Sequence, residues 1–167
     1  DAITTGDYNT GSGFYALGAV TTADKNTAMG SGAGQSITTG ANNVAIGADA
    51  LDANTTASNN TAVGTSSLGA NTTGQYNVAM GGDALKSNVA GHHITAIGYR
   101  ALESLNHASS TNSFNIAIGS NAGLSVTTGV HNTIIGCLAG DLMTTGNGNT
   151  AVGKDSMGGG VVTGSYN

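Results

Sequence analysis

Small and apolar residues recur along the chain at every seventeenth position. The recurring phrase is Asn, a β-favouring residue, Ala, an aliphatic residue and Gly, as in the segment from Asn43 to Gly47. Eight copies begin at Asn26, Asn43, Asn60, Asn77, Ile94, Asn115, Asn132 and Asn149, and a degenerate copy begins at Asn9. The interval is longer by four positions only between Ile94 and Asn115, and we call the repeat that begins at Ile94 the long repeat. A period this short predicts one coil of a solenoid per repeat.

Each phrase has the length of a short strand, in which alternate residues face opposite sides. We number each repeat from its first residue, so that Asn is position 1. Position 4 carries the larger aliphatic residues, so positions 2 and 4 are predicted to face the coil interior. Position 3 is Ala in seven of the nine copies and is then predicted to face outward, which suggests a second surface packed against it. The predicted interior column at position 4 includes Ile46, Val63, Met80, Ile97, Ile118, Ile135 and Val152.

Position 5 is Gly in every copy. This predicts either a turn with positive φ or the close approach of neighbouring backbone. The glycines are Gly13, Gly30, Gly47, Gly64, Gly81, Gly98, Gly119, Gly136 and Gly153.

The rest of each repeat carries a pair such as Ala50-Leu51 and then a phrase such as Thr72-Thr73-Gly74. The Leu is predicted to fill the interior from the opposite wall, although Gly replaces it at Gly34, Gly123 and Gly140. Thr favours strands, whereas Gly and Asn favour turns. Each repeat is therefore predicted to hold two short strands and two turns.

Composition agrees with an all-β fold. Only 8% of residues are charged and Glu103 is the single Glu, so little helix is expected. Residues 1–167 are predicted to form one repeat domain of about nine coils, roughly 43 Å long. The chain opens on Ile3-Thr4-Thr5-Gly6-Asp7-Tyr8, read as the tail of a preceding repeat. It closes on Val162-Thr163-Gly164-Ser165-Tyr166-Asn167, in which Asn167 is read as the first residue of a next repeat. We therefore expect a segment of a longer fibre.

The charge balance and hydropathy exclude several partners. The net charge is −5 and the four basic residues are scattered, so no nucleic acid is expected. No apolar run has the length of a membrane-spanning helix, so no membrane insertion is expected. Cys137 is the single Cys and is expected to be a reduced thiol packed in a coil.

The phrase from Asn43 to Gly47, repeated from Asn115 to Gly119, resembles the head repeats of YadA-like trimeric autotransporter adhesins. The longer phrase with Ala-Leu and Asn-Thr-Thr-Gly is similar to repeats of phage tail fibres. This resemblance implies a left-handed parallel β-roll packed as a parallel homotrimer. It also implies an extracellular place, on a virion fibre or a bacterial surface, with neighbouring fibre segments and a cell-surface glycan or receptor as partners.

Enzymatic chemistry has one candidate. Asp49, Asp83 and Asp155 share position 7, and two coils separate Asp49 from Asp83, about 9.6 Å. That distance is near the carboxylate separation of inverting glycosidases. However, other residue types also occupy this position, which favours an exposed turn. No catalytic residue and no cofactor is predicted, and a glycan-binding or glycan-degrading spike remains an alternative.

Two further functions have candidate residues. His92, His93, His107 and His131 could supply imidazoles to a metal ion, but adjacent His92 and His93 point apart on a strand. A solvated turn is favoured and no metal site is predicted. The Thr pairs would suit an ice-binding solenoid, although the Thr column is broken at Val89-Ala90 and Asn106-His107.

The four additional positions of the long repeat fall between Ala101 and Phe114. A solenoid expels extra residues as a surface loop, and such loops often bind partners. The residues favour a tolerated loop, with a binding contact as the alternative. Its candidate contacts are Glu103, His107, Ser110, Asn112 and Phe114.

Overall fold

The computed structural model describes residues 5–167, over which there are eleven short strands and no α-helix. Nine of the strands stack as one parallel sheet, so the chain winds as a β-solenoid of about eight turns. They are β1 (Thr10–Ser12), β2 (Thr27–Met29), β3 (Val44–Ile46), β4 (Thr61–Val63), β5 (Val78–Met80), β7 (Thr95–Ile97), β9 (Ile116–Ile118), β10 (Thr133–Ile135) and β11 (Thr150–Val152). The remaining two, β6 (Gly91–His92) and β8 (Thr111–Asn112), form a second parallel pair.

The register confirms the predicted period. Ala45 of β3 lies opposite Ala62 of β4, and Ala62 lies opposite Ala79 of β5. The long repeat does not disturb this alignment, because Ala96 of β7 still pairs with Ala117 of β9. Identical repeat positions therefore form columns that run along the solenoid.

The predicted orientation of the strands was wrong. Position 3 faces the interior, where Ala62 and Ala79 are fully buried, whereas position 4 faces outward and leaves Met29 49% exposed. The reason is that position 1 shares a face with position 3. Position 1 is a buried Asn in most coils, and its side chain forms hydrogen bonds inside the solenoid, so the small Ala is carried inward with it.

The Asn residues at position 1 form a column, here called the Asn column, whose side chains form hydrogen bonds within each coil and with the next coil. The Nδ2 of Asn43 donates to the carbonyl of Ala57 across the same coil at 2.9 Å. Its Oδ1 accepts from the backbone N–H of Asn60, one coil on, at 3.0 Å. A buried amide needs such partners for both its donor and its acceptor. Asn167 continues the column as predicted, since its backbone N–H donates to Oδ1 of Asn149 at 3.0 Å.

The Gly column at position 5 is confirmed in both predicted respects, positive φ and close approach of neighbouring backbone. Gly64 has a φ of +131°, and a Cβ built on it would lie 2.6 Å from the backbone carbon and oxygen of Gly81. Neighbouring coils therefore approach so closely at this corner that no side chain larger than the hydrogen of Gly fits.

Leu at position 9 fills the interior as predicted, and Leu51, Leu68, Leu85 and Leu102 are fully buried. Where Gly replaces Leu, the side chain at position 12 supplies the volume instead. A Cβ at Gly34 would lie 2.9 Å from Cδ1 of Ile37, and one at Gly140 would lie 2.8 Å from Sδ of Met143. Coils that have Leu at position 9 can carry Asn at position 12, as at Asn54, Asn71 and Asn88. In these coils one large apolar residue, at position 9 or at position 12, fills the interior, whereas the coils with Leu17 and Val20 and with Leu102 and Leu105 bury one at both positions.

The second strand predicted at the Thr-Thr segment of each repeat was wrong over the described residues, and β6 and β8 lie just after that segment. The Thr-Thr segment is irregular but still bonded from coil to coil. The backbone N–H of Thr38 donates to the carbonyl of Thr55 at 2.9 Å, and its Oγ1 donates to the same oxygen at 3.1 Å. Of the predicted opening repeat tail, Ile3 and Thr4 lie outside the described residues.

Candidate assembly face and inserted loop

The outward side of the nine-stranded sheet, formed by positions 2 and 4, is here called the outer face. Its position 4 column holds Met29, Ile46, Val63, Met80, Ile97, Ile118, Ile135 and Val152. Met80 is 41% exposed and Val152 is 63% exposed. Position 2 adds Thr, Val or Ile, and neither position carries a charged residue in the nine strands of this sheet. The result is a continuous column of aliphatic side chains from β2 to β11, flanked at position 2 by uncharged residues.

The outer face is as large as the largest apolar patch that a typical monomer leaves in water. Eight rungs at about 4.8 Å and a width of about 10 Å give roughly 400 Å². That is within the range of the largest apolar patch on a typical monomer, and such patches commonly mark interaction sites. The face is also flat and repetitive, which suits another flat and repetitive surface.

Beside the outer face, position 17 forms a column of aromatic rings that the sequence analysis missed. The ring centroids of Tyr76 and His93 are 5.1 Å apart, those of His93 and Phe114 are 5.1 Å apart, and those of Phe114 and His131 are 5.5 Å apart. All four residues are exposed and have positive φ. The signal was available, since these residues occupy one repeat position. We call this the ring column.

The long repeat places its extra residues next to the ring column. Gly91 pairs with Thr111 and His92 with Asn112, and the ring of His93 stacks on that of Phe114. The additional residues are therefore 108–110 and Ser113. Residues 108–110 are exposed and are here called the inserted loop.

The fourth additional residue, Ser113, is buried and supplies a hydrogen-bond acceptor that is missing from the Asn column. Ile94 stands where other coils have Asn, so the following coil lacks an amide oxygen. The Oγ of Ser113 accepts from Nδ2 of Asn115 at 2.7 Å instead.

The predicted contact residues of this region do not form one surface. Ser110, Asn112 and Phe114 are exposed, whereas Glu103 is half-buried and paired with Arg100. His107 is only 6% exposed, so its ring lies beneath the loop rather than on it. A contact role therefore stays a prediction for the exposed residues, and His107 has a different position from the one expected.

The carboxylates at position 7, Asp49, Asp83 and Asp155, all lie on residues with positive φ, which fits a turn. Asp83 pairs with Lys86 Nζ at 2.9 Å, and burial together with the neighbouring Asp49 raises the pKa of Asp52. No pocket opens beside them in residues 5–167.

Two further expectations concern metal ions and the thiol. Within the described chain, no three His, Cys, Asp or Glu side chains converge on a point where a metal could bind. The expectation of a packed thiol was wrong, because Cys137 is exposed at position 6, beyond the inward-facing residues of its strand. Over residues 5–167 no helix has the length and hydrophobicity that a membrane span requires.

Comparisons with protein-family models, with curated proteins and with solved structures gave no match.

Proposed function

We propose that this chain is a non-enzymatic structural and adhesive segment of an extracellular fibre, in which three parallel copies of a left-handed β-roll pack through their outer faces. The single observation that supports this most strongly is the outward column of aliphatic residues at position 4. Met80, Ile118 and Ile135 are each more than a third exposed in the isolated chain. Burying them against copies of themselves removes this area from water at about 25 cal/mol per Å².

Parallel packing follows from the repeat itself. In two chains that run the same way, every rung of one outer face meets an equivalent rung of the other at the same rise of about 4.8 Å. The absence of charge at positions 2 and 4 of the described strands means that no ion must be desolvated on contact. The resemblance to trimeric adhesin heads and tail fibres supplies the number three and the attachment role.

Assembly is tested by sedimentation equilibrium. Wild type is expected to have a molar mass three times the chain mass of 16.2 kDa. Met80→Lys places a charge in the middle of the outer face, so its mass is expected to fall toward that of one chain. Thr73→Lys, on the exposed Thr corner away from this face, is the matched control and is expected to keep the wild-type mass.

Two results would contradict the proposal. One is a wild-type mass of one chain at about 100 µM, a concentration at which a stable oligomer stays assembled. The other is a Met80→Lys variant that keeps the wild-type mass while far-UV circular dichroism shows both proteins folded.

An ice-binding role is the second candidate, and one observation favours it. Thr22, Thr39, Thr56 and Thr73 are exposed at position 14 of four successive coils. Their neighbours at position 13 are less available, since Thr38 and Thr72 donate their hydroxyls to the next coil. Thermal hysteresis of the purified chain distinguishes this role from a purely structural one.

A further inference from the structure

The inserted loop is held at both ends by histidine residues. His92 lies in β6, under the end of the loop at Ser110, and His107 immediately precedes the loop. Neither residue belongs to the outer face or to the ring column. The contact of His92 with Ser110 is specific to this place, because the other described coils lack the loop. The bond that His92 accepts from Gln75 has counterparts at the same repeat position, as between the backbone N–H of Ala41 and Oγ of Ser58.

The hydrogen bond that His92 accepts at Nδ1 requires a neutral ring. Its Nδ1 accepts from the backbone N–H of Gln75 at 3.0 Å, and its Nε2 lies 2.9 Å from Oγ of Ser110. An Nδ1 that accepts a hydrogen bond carries no proton, so Nε2 holds the proton and donates it to Ser110. Protonation of Nδ1 would set its N–H against that of Gln75 and end this bond to the preceding coil, while Nε2 could still donate to Ser110.

His107 is neutral for a different reason. Its ring is buried, and its Nε2 has no hydrogen-bond partner among the described residues. The ring lies against the backbone of Gly91, where a Cβ would come within 2.8 Å of Cδ2 of His107. A charge on this ring would be buried without a partner, which is strongly unfavourable.

The surroundings of both rings favour the neutral form. Burial, followed by the adjacent His93, lowers the pKa of His92, and burial lowers the pKa of His107. The hydroxyl of Ser110 and the backbone of Gln75 and Gly91, which contact the rings, do not titrate in this range. With a lowered pKa in the folded loop, the neutral rings stabilise it above pH 6.5, and this stability is lost as the pH falls below that value.

We propose that His92 and His107 form an acid-operated latch that releases the inserted loop at mildly acidic pH while the solenoid stays folded. In the rest of the described winding the coils are bonded by backbone amides and by side chains of Asn, Ser and Thr, which do not titrate at mildly acidic or neutral pH. One carboxylate is an exception, since Oδ1 of Asp24 accepts from the backbone N–H of Asp7 at 2.8 Å. The latch goes beyond the proposed fibre role and does not depend on it. Its chemical consequence is a loop surface that differs between neutral and acidic surroundings.

The test follows loop motion with a nitroxide spin label on Ser109→Cys in a Cys137→Ser background. The electron paramagnetic resonance line shape is expected to narrow as the pH falls from 7.5 to 4.5, with a midpoint below 6.5 and a rotational correlation time reduced at least twofold. His92→Asn combined with His107→Phe retains similar shapes without titration, and this pair is expected to keep the label immobile throughout. His131→Asn, which removes an exposed imidazole of the ring column, is expected to leave the transition unchanged.

Three outcomes overturn the latch. The first is a line shape that does not change with pH in the parent protein. The second is an unchanged transition in the His92→Asn and His107→Phe variant. The third is a transition that coincides with loss of the far-UV circular dichroism signal, because the whole solenoid would then be unfolding.

Discussion

Gly64→Ala is expected to lower the free energy of unfolding by about 4 kcal/mol or more, among the largest effects of a single substitution. Two separate costs combine at this position. The φ of +131° is unfavourable for any residue with a Cβ, and that Cβ would lie 2.6 Å from the backbone of Gly81. Side chains can rotate away from a clash, but the next coil can relieve this one only by moving its backbone. Urea denaturation followed by circular dichroism, at one fixed protein concentration, measures the change.

Substitutions at two other glycines allow the cost of positive φ to be measured apart from the cost of the clash. Gly153 has a φ of +116° but no atom within 4 Å of its Cβ position, so Gly153→Ala is expected to cost only about 1–2 kcal/mol. Gly82 has neither a positive φ nor a clash, since its nearest atom would be a Tyr99 ring carbon at 3.6 Å. Gly82→Ala is expected to stay within about 1 kcal/mol of wild type. Equal losses at Gly64 and Gly153 would show that close approach of the coils contributes nothing.

Asn132→Ala is expected to destabilise the solenoid by about 3–5 kcal/mol, because two buried polar groups lose their partners. Nδ2 of Asn132 donates to the carbonyl of Gly146 at 2.9 Å, and its Oδ1 accepts from the backbone N–H of Asn149 at 2.9 Å. Neither group can reach water, since Asn132 is fully buried. The same denaturation experiment measures the loss.

Asn60→Ala is the matched comparison and is expected to cost about 1–3 kcal/mol. The carbonyl of Gly74 receives a hydrogen bond from Asn60 and a second one from Nδ2 of Asn71 at 3.0 Å. The second bond remains in the variant, so only the N–H of Asn77 is left without its side-chain acceptor. The exposed Asn106 serves as a surface control, with little change expected for Asn106→Ala. A larger loss of stability in Asn60→Ala than in Asn132→Ala would contradict this role of the Asn column.

The period, the parallel stacking and the Gly column were predictable from the sequence, because each follows from spacing alone. The inside and outside of the strand could not be assigned by side-chain size. Size favours Ile46 inside over Ala45, yet Leu51 enters the same coil from the opposite wall and leaves room for only a methyl group. Recognising Asn43 as a buried hydrogen-bonding residue would have reversed the assignment, since positions 1 and 3 share a face.

The same reversal changes the functional interpretation. The sequence predicted an outward apolar column that packs against another surface, but the column that faces outward is the aliphatic one and not the Ala one. The ring column could have been predicted from the sequence, because Phe114 directly precedes Asn115 in the same way that His93 precedes Ile94. Spacing alone does not say which four residues are additional. The pairing of β6 with β8 was needed to decide this.

The winding itself is tested most directly by double electron–electron resonance between two spin labels on the position 4 column, in Cys137→Ser protein diluted with unlabelled chains. Seven rungs separate Met29 from Val152 and four separate Met29 from Ile97, so the backbone separations are expected to be about 34 Å and about 19 Å. Distances that increase in proportion to the number of coils are the predicted result. Two distances that do not follow the coil count would contradict the solenoid and everything inferred from its outer face.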